Sequence, residues 1–182
     1  MVYTPVTIVS SGGSGDVARL SDSTLGADTA SFDITGISAA YKHLLIIAQL
    51  RGTHADIQTE LRLRFNNDSG SNYDGHYHFT TSGAATGVTN NPATTSAQLG
   101  LITADTATAD RAGSAHILIP NYASATFQKN IEFHTAYARS GDYATTDGSG
   151  AWRNTAAVDR ITILPGTANW KAGSRLTLYG MN

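Results

Sequence analysis

Residues 60–79 have the sequence ELRLRFNNDSGSNYDGHYHF and contain the clearest structural pattern of the chain. In residues 60–65 each charged residue is followed by an apolar one, which is the two-residue period of a half-buried β-strand. Residues 66–72 are then only Asn, Asp, Ser and Gly, which accept left-handed backbone or hydrogen-bond their own main chain. Alternation resumes at residues 76–79. The pattern therefore predicts two strands joined by an ordered polar turn.

The same succession of short β-rich runs and turn-rich segments extends over the whole chain, without an amphipathic helix. Eight to ten strands are expected, among them residues 30–34, 41–51, 60–65, 76–79, 98–103, 113–119, 129–139, 158–164 and 174–179. This spacing predicts an all-β chain, folded as an antiparallel β-sandwich with the topology of a jelly roll.

Four segments carry more specific expectations. The continuous apolar run within residues 41–51 predicts a strand covered on both faces. Residues 104–112 are small and suit one turn of helix. Residues 80–95 and 140–150 are rich in Thr, Ser, Gly and Ala, and we expect long polar loops there.

The chain is predicted to have a short N-terminal arm and one body. Residues 2–9 are β-rich but contain a proline, which suits an edge strand or an arm that pairs with a neighbouring subunit, or else a frayed terminus. Gly and Ser then dominate residues 10–15. We therefore assign residues 1–15 to an arm and joint and residues 16–182 to a β-sandwich domain, since 182 residues suffice for one substantial core.

Composition argues against several classes of partner. The formal net charge is −2 without a long run of either sign, so the electrostatic footprint of a nucleic-acid binder is missing. The absence of cysteine excludes disulfides and thiolate metal sites and fits synthesis in a reducing cytoplasm. No apolar run approaches the length of a membrane span or a signal peptide, so a membrane partner is not expected.

Two ion sites can be considered. His76 and His78 fall on one face of a strand, and Asp74 or His54 would have to supply a further ligand for zinc. Hydrogen-bonded or surface histidines are the favoured interpretation.

The second site would be an oxygen cage for calcium, formed by Asn66, Asp68 and Asp74. The spacing is not that of an EF-hand loop, and turns stabilised by Asn and Asp side chains are favoured. The same turn could hydrogen-bond a sugar, with Tyr73 or Tyr77 as its apolar platform. We predict no bound metal or cofactor.

Nothing in the sequence points to catalysis. There is no Gly-x-Ser-x-Gly elbow, and the two glutamates, Glu60 and Glu132, lie in strand patterns. The glycine-rich runs lack the lysine of a phosphate loop. We predict that the chain is not an enzyme and has no catalytic residue.

Large aromatic residues near loops and arginines on strands are instead candidates for contact with a partner or ligand. Tryptophan supplies a large rigid area, and guanidinium groups pair with carboxylates. Core packing and solvated strand faces are the alternatives. The candidates are Trp152, Trp170, Tyr73, Tyr77, Arg62 and Arg64.

A set of short segments resembles small virion proteins of tailed bacteriophages and their prophage relatives. These segments are YKHL (residues 41–44), LRLRFN (61–66), DSGSNYDGHY (68–77), WR (152–153), ITI (161–163) and AGSRLTLYG (172–180). The similarity extends from about residue 31, where SFDITGI begins, to the end of the sequence. None of the segments is a catalytic motif, and residues 1–30 are the least similar part.

The resemblance implies a structural protein of the virion surface, made in the host cytoplasm. A capsid decoration or cement protein, which binds the major capsid protein or other virion proteins and stabilises the particle, is the first expectation. Such proteins are commonly homotrimers. The alternative is a receptor- or carbohydrate-binding module of a tail fibre or head spike, with a host glycan as its ligand and residues 80–95 as part of the contact surface.

Overall fold

A computed structural model describes residues 17–81 and 86–182. Within these ranges the chain forms twelve β-strands and no helix. The strands are β1 (Val17–Thr24), β2 (Phe32–Thr35), β3 (His43–Leu50), β4 (Gln58–Phe65), β5 (Tyr73–Thr81), β6 (Thr86–Thr94), β7 (Ala97–Thr103), β8 (Gly113–Pro120), β9 (Lys129–Ala138), β10 (Tyr143–Trp152), β11 (Arg160–Pro165) and β12 (Arg175–Met181). The predicted arm and joint, residues 1–15, lie outside the described residues.

The strands form two antiparallel sheets of unequal width, packed face to face. The large sheet has the order β1-β12-β3-β8-β9-β10-β5-β6, and the small sheet has the order β2-β11-β4-β7. The predicted all-β antiparallel sandwich is thus confirmed. Its assignment as a jelly roll stays a prediction.

The core lies between the sheets and is built from the alternating residues that the sequence pattern identifies. Leu61, Leu63 and Phe65 of β4 are fully buried. On the neighbouring strand β11, Ile161 and Ile163 are also fully buried and lie opposite Phe65 and Leu63. Because the side-chain period of a strand is two, the charged residues of β4 face outward.

Strand register places four loops together at one end of the sandwich. Val17 lies opposite Met181, Met181 opposite His43, and His43 opposite Pro120, so the described chain begins at this end. We call it the Phe127 end; its loops are residues 36–42, 66–72, 121–128 and 153–159, and the two-residue link 95–96 lies there too. The opposite end, which we call the Arg51 end, carries residues 25–31, 51–57, 104–112, 139–142 and 166–174.

The two predicted long loops are mostly strands. Residues 80–95 contain the end of β5 and all of β6, and residues 140–150 contain most of β10. In β10 the small residues are required by close neighbours: a Cβ built on Gly148 would meet the carbonyl oxygen of His76 and lie 2.6 Å from the Cβ of Tyr77. A composition that is typical of loops therefore serves a central strand.

Two smaller expectations are also wrong. The strand within residues 41–51 is open on one face, since Ile47 is 42% exposed while Ile46 is fully buried. Residues 104–112 form turns and not a helical turn. Their backbone carbonyls are instead used by Arg51, as described below.

Candidate functional site

The aromatic residues proposed as contacts belong to the core and are not on the surface. Trp152 is 1% exposed, Tyr77 is 4% exposed, and Trp170 and Tyr73 are fully buried. Trp152 is the last residue of β10, on the same inner face as Gly150. The sequence prediction that these side chains offer contact area therefore needs correction, because proximity to a loop did not bring them to the surface.

The polar turn of residues 66–72 serves to hold Trp152. The carboxylate of Asp68 accepts a hydrogen bond from Trp152 Nε1 at 2.7 Å, from Asn72 Nδ2 at 3.0 Å and from the backbone N–H of Gly70 at 2.8 Å. These donors, above all Trp152, lower the pKa of Asp68. Three protein donors already occupy the carboxylate that the calcium hypothesis assigned to an ion.

Tyr73 completes this corner of the fold. Its hydroxyl accepts a hydrogen bond from the backbone N–H of Phe65 at 2.9 Å and lies 3.2 Å from the carbonyl oxygen of Asp68. Its ring stacks on Trp152 with the centroids 6.4 Å apart. Burial raises the pKa of Tyr73 to about 12. The phenol is therefore part of the core and not a platform for sugar.

The arginines of β4, Arg62 and Arg64, lie on the outer face of the small sheet, where sequence alternation places them, and both are half-buried. Arg62 Nε donates to Glu60 Oε2 at 2.6 Å, and Arg64 Nε donates to the carbonyl oxygen of Thr95 at 2.9 Å. Their guanidinium groups are thus engaged within the chain.

A row of polar side chains crosses the outer face of the large sheet. His134, Asp147 and His78 lie opposite one another on β9, β10 and β5, and His134 Nδ1 is 2.5 Å from Asp147 Oδ1. His76 lies on the same face as His78, as expected from their spacing. Among the described residues, no group of three or more His, Asp or Glu side chains is placed to hold a metal ion.

Next to this row is a shallow groove of about 360 Å³ that follows β10. Ser149 lies between Glu132 and His76, and Ala151 lies between Asn130 and Asp74, so short side chains are flanked by longer ones. The groove offers hydrogen-bond donors and acceptors, and its described lining contains the imidazole of His76 but no Phe, Tyr or Trp side chain.

A second depression, of about 450 Å³, lies at the Arg51 end. Arg51 contributes to its lining, and the Arg51 guanidinium donates to four backbone carbonyls of residues 104–112, those of Asp105, Ala107, Thr108 and Arg111. Lys171 Nζ lies 2.5 Å from Asp105 Oδ1 and, as a hydrogen-bond donor, lowers the pKa of that carboxyl. Arg51 therefore holds the loop of residues 104–112 in place through its backbone carbonyls.

The Phe127 end presents a large aromatic side chain on a fixed loop. Phe127 is 76% exposed, while nearby Lys129 is 1% exposed. Lys129 Nζ donates to the carbonyl oxygens of Ser124, Phe127 and Thr155 at 2.6, 3.0 and 3.1 Å, which ties residues 121–128 to residues 153–159. Burial lowers the pKa of Lys129. Because its loop is already ordered, Phe127 can be buried by a partner at little entropic cost.

Sequence reasoning did not identify Phe127, Lys129 or Arg51. One signal was present for Lys129: it shares the inward register of Ile131 and Phe133, and a lysine at such a position must find acceptors inside the protein. No comparable pattern marks Phe127 or Arg51, whose partners come from distant loops.

A comparison of the chain with protein-family models, with curated proteins and with solved structures finds no match. In residues 17–81 and 86–182 there is also no helix of the length and apolarity that a membrane span requires.

Proposed function

We propose that this chain is a structural protein of a bacteriophage particle, a decoration or cement protein that attaches to the capsid surface and stabilises it. The resemblance to small virion proteins suggested this role, and the strand order is the observation that carries it further. The protein would be made in the host cytoplasm and would act on the virion surface as a homotrimer.

The strand order supports a jelly roll with two additional hairpins. If the hairpins β5–β6 and β9–β10 are set aside, the remaining eight strands stand in the orders β1-β12-β3-β8 and β2-β11-β4-β7. Two facing four-stranded sheets in which early strands pair with late ones form the nested arrangement of a jelly roll, an architecture common in viral capsid proteins and also in lectins. Fold alone does not decide between these roles.

Three of the six segments that resemble virion proteins meet at the corner built around Asp68. Residues 61–66, 68–77 and 152–153 contain the groups that hold Trp152, and the backbone N–H of Arg153 donates to the carbonyl oxygen of Asn72 at 2.7 Å. The resemblance therefore concerns the framework of the sandwich, as is expected for proteins that share a structural role and not a reaction.

The Phe127 end is the surface that we assign to capsid attachment. It carries the most exposed large apolar side chain of the described residues, and Val17, which is 58% exposed, lies at the same end. Aromatic side chains, phenylalanine among them, are enriched at protein–protein interfaces, so an exposed phenylalanine on an ordered loop suits such a contact.

The test is the binding of purified protein to particles that lack it, measured by co-sedimentation, together with the heat resistance of those particles. Phe127→Ala is expected to weaken binding at least tenfold without loss of folding. Tyr143→Ala is the matched control, because Tyr143 is 67% exposed but lies at the Arg51 end. Equal binding by both variants would refute the assigned surface, and a complete failure of the unaltered protein to bind or stabilise particles would refute the function.

The second candidate, a receptor- or carbohydrate-binding module of a tail fibre or head spike, is favoured by the polar groove along β10. Its predicted aromatic contacts are buried, so the groove would have to take their place. Binding of a host glycan by the isolated protein, abolished by Ser149→Tyr in the groove floor and kept by Thr145→Tyr further along the same strand face, would favour this module.

A further inference from the structure

Within the described residues the two sheets have four edges, and three of them are protected. In the small sheet β2 has only four residues, and β7 is mostly buried because it packs beneath β5, β9 and β10 of the large sheet. Short edges and covered edges are two of the ways in which proteins prevent strands from pairing with other chains.

The β1 edge of the large sheet is protected by charge and by irregularity. Its register shifts between Arg19 and Ser21, which is a bulge. Asp22 is paired with Arg19 at 3.2 Å and with Arg175 of β12 at 2.7 Å. Bulges and charged side chains both discourage the addition of a further strand.

The β6 edge has no such protection over most of its length. β6 contains no charged residue, and none of its nine residues is buried. Val88 on its outer face is 69% exposed. Pro92 and Ala93, which has a φ of 57°, interrupt only the end of the strand. No strand of the described residues pairs with residues 86–91 on the side away from β5, so within that part of the chain they present an open ladder of backbone donors and acceptors.

We infer that residues 2–9 of one copy of the chain add as a further strand to the β6 edge of a neighbouring copy. Their sequence, VYTPVTIV, is uncharged and rich in β-branched residues, as an uncharged edge requires. Main-chain pairing would provide the affinity, in the mode of β-augmentation. This contact between copies does not depend on the proposed role in a phage particle.

The number of residues before β1 indicates that the arm of one copy binds the β6 edge of a neighbouring copy and not its own β6 edge. The chain enters β1 at Val17, and β6 lies at the opposite edge of the eight-stranded sheet, about 34 Å away as measured across the strands at a spacing of about 4.8 Å. Residues 10–16 span at most about 25 Å when fully extended. Residues 2–9 cannot then lie along β6 of their own copy. An arm that leaves one edge and binds the other makes a head-to-tail contact, which can close into a ring such as a trimer.

The first experiment measures the mass of the full chain and of a chain without residues 2–9 by light scattering after size exclusion. The full chain is expected to be an oligomer and the shortened chain a folded monomer. Val88→Lys, which places a charge at the β6 edge, should weaken association at least tenfold. Ile47→Lys on the same sheet face is the control, because β3 is paired on both sides. A full chain that is monomeric, or a shortened chain that keeps the oligomeric mass, would overturn the inference.

The second experiment locates the arm by disulfide trapping, which is unambiguous because the natural chain has no cysteine. A chain with Thr7→Cys is mixed with an isotopically labelled chain that carries cysteine in place of Val88, Thr89 or Asn90 in turn. Bonds between labelled and unlabelled copies are expected at one or more of these positions. Bonds at the β1 edge instead, tested with Ala18→Cys, would contradict the assignment to β6.

Discussion

Replacement of Asp68 by alanine should be one of the most damaging single changes on the polar surface of this protein. The variant removes three hydrogen bonds and leaves the indole N–H of Trp152, a residue that is 1% exposed, without its acceptor. A hydrogen bond to a charged group contributes about 1.5–3 kcal/mol, and an unsatisfied buried donor costs about 1–3 kcal/mol. We expect the free energy of unfolding to fall by about 3 kcal/mol, which corresponds to about 6–12 °C in Tm for a chain of this size.

Urea unfolding followed by tryptophan fluorescence measures this loss. Asp56→Ala is the control, since the exposed Asp56 carboxylate accepts only the neighbouring N–H of Ile57 in the described structure, and about 0.5 kcal/mol or less is expected there. Asp68→Asn, which keeps one acceptor oxygen, should fall between the two. A loss below about 1 kcal/mol in Asp68→Ala would refute the view that this turn holds the corner together.

The same carboxylate makes stability depend on pH. The pKa of Asp68 in the folded protein lies below its value in the unfolded chain, which is about 3.9. Its contribution is therefore present in full above about pH 4 and is lost as pH falls through the folded pKa. The difference in stability between the unaltered protein and Asp68→Asn should be constant between pH 5 and pH 7 and should narrow below about pH 4; a difference that does not change on acidification would contradict this.

Three further outcomes are expected. Gly148→Ala should lower the free energy of unfolding, measured in urea, by about 1–3 kcal/mol because the added Cβ would collide with β5. Gly141→Ala should be nearly neutral because there is open space around Gly141. Equal effects of the two substitutions would contradict the packing of β10. In Arg51→Lys the ammonium group cannot donate to all four carbonyls that the guanidinium reaches. Backbone hydrogen exchange should therefore accelerate in residues 104–112 while the β-strands stay protected. Unchanged exchange would argue against the view that Arg51 holds this loop. Lys129→Met should leave carbonyl oxygens without a donor and lower the free energy of unfolding by about 2 kcal/mol or more, as measured in urea; a more stable variant would show that hydrophobic packing can substitute.

The strands that could be predicted are those whose own side chains carry the pattern. Leu61, Leu63 and Phe65 are inward and their charged neighbours outward, as the two-residue period requires. The run from Lys129 to Ala138 was equally clear. In these strands the pairing in the sheet agrees with the extended, half-buried conformation that the alternating sequence favours, so the all-β fold class could be predicted from the sequence.

β10 and β6 could not be predicted because their own side chains carry no alternating apolar pattern. β10 has a loop-like composition, and its glycines are needed only because β5 and β9 approach closely on either side. The burial of Trp152 and Trp170 was missed because it depends on contacts with residues distant in sequence. Whether a tryptophan beside a loop is covered depends on the opposite sheet, and the bridges of Trp170 to Thr29 and Gly52 join three distant parts of the chain.

The pairing of β1 with β12 has a consequence for how the protein is made on the ribosome. β12 is the common neighbour of β1 and β3, so until residues 175–181 have been synthesised β1 has no partner strand in the described sheet and β3 is paired only with β8. Pairings between strands this far apart in sequence form slowly, and open strands favour aggregation. Folding of the large sheet is thus completed only after residues 175–181 leave the ribosome, and a chain interrupted before them, with β1 unpaired and one side of β3 open, is expected to be prone to aggregation.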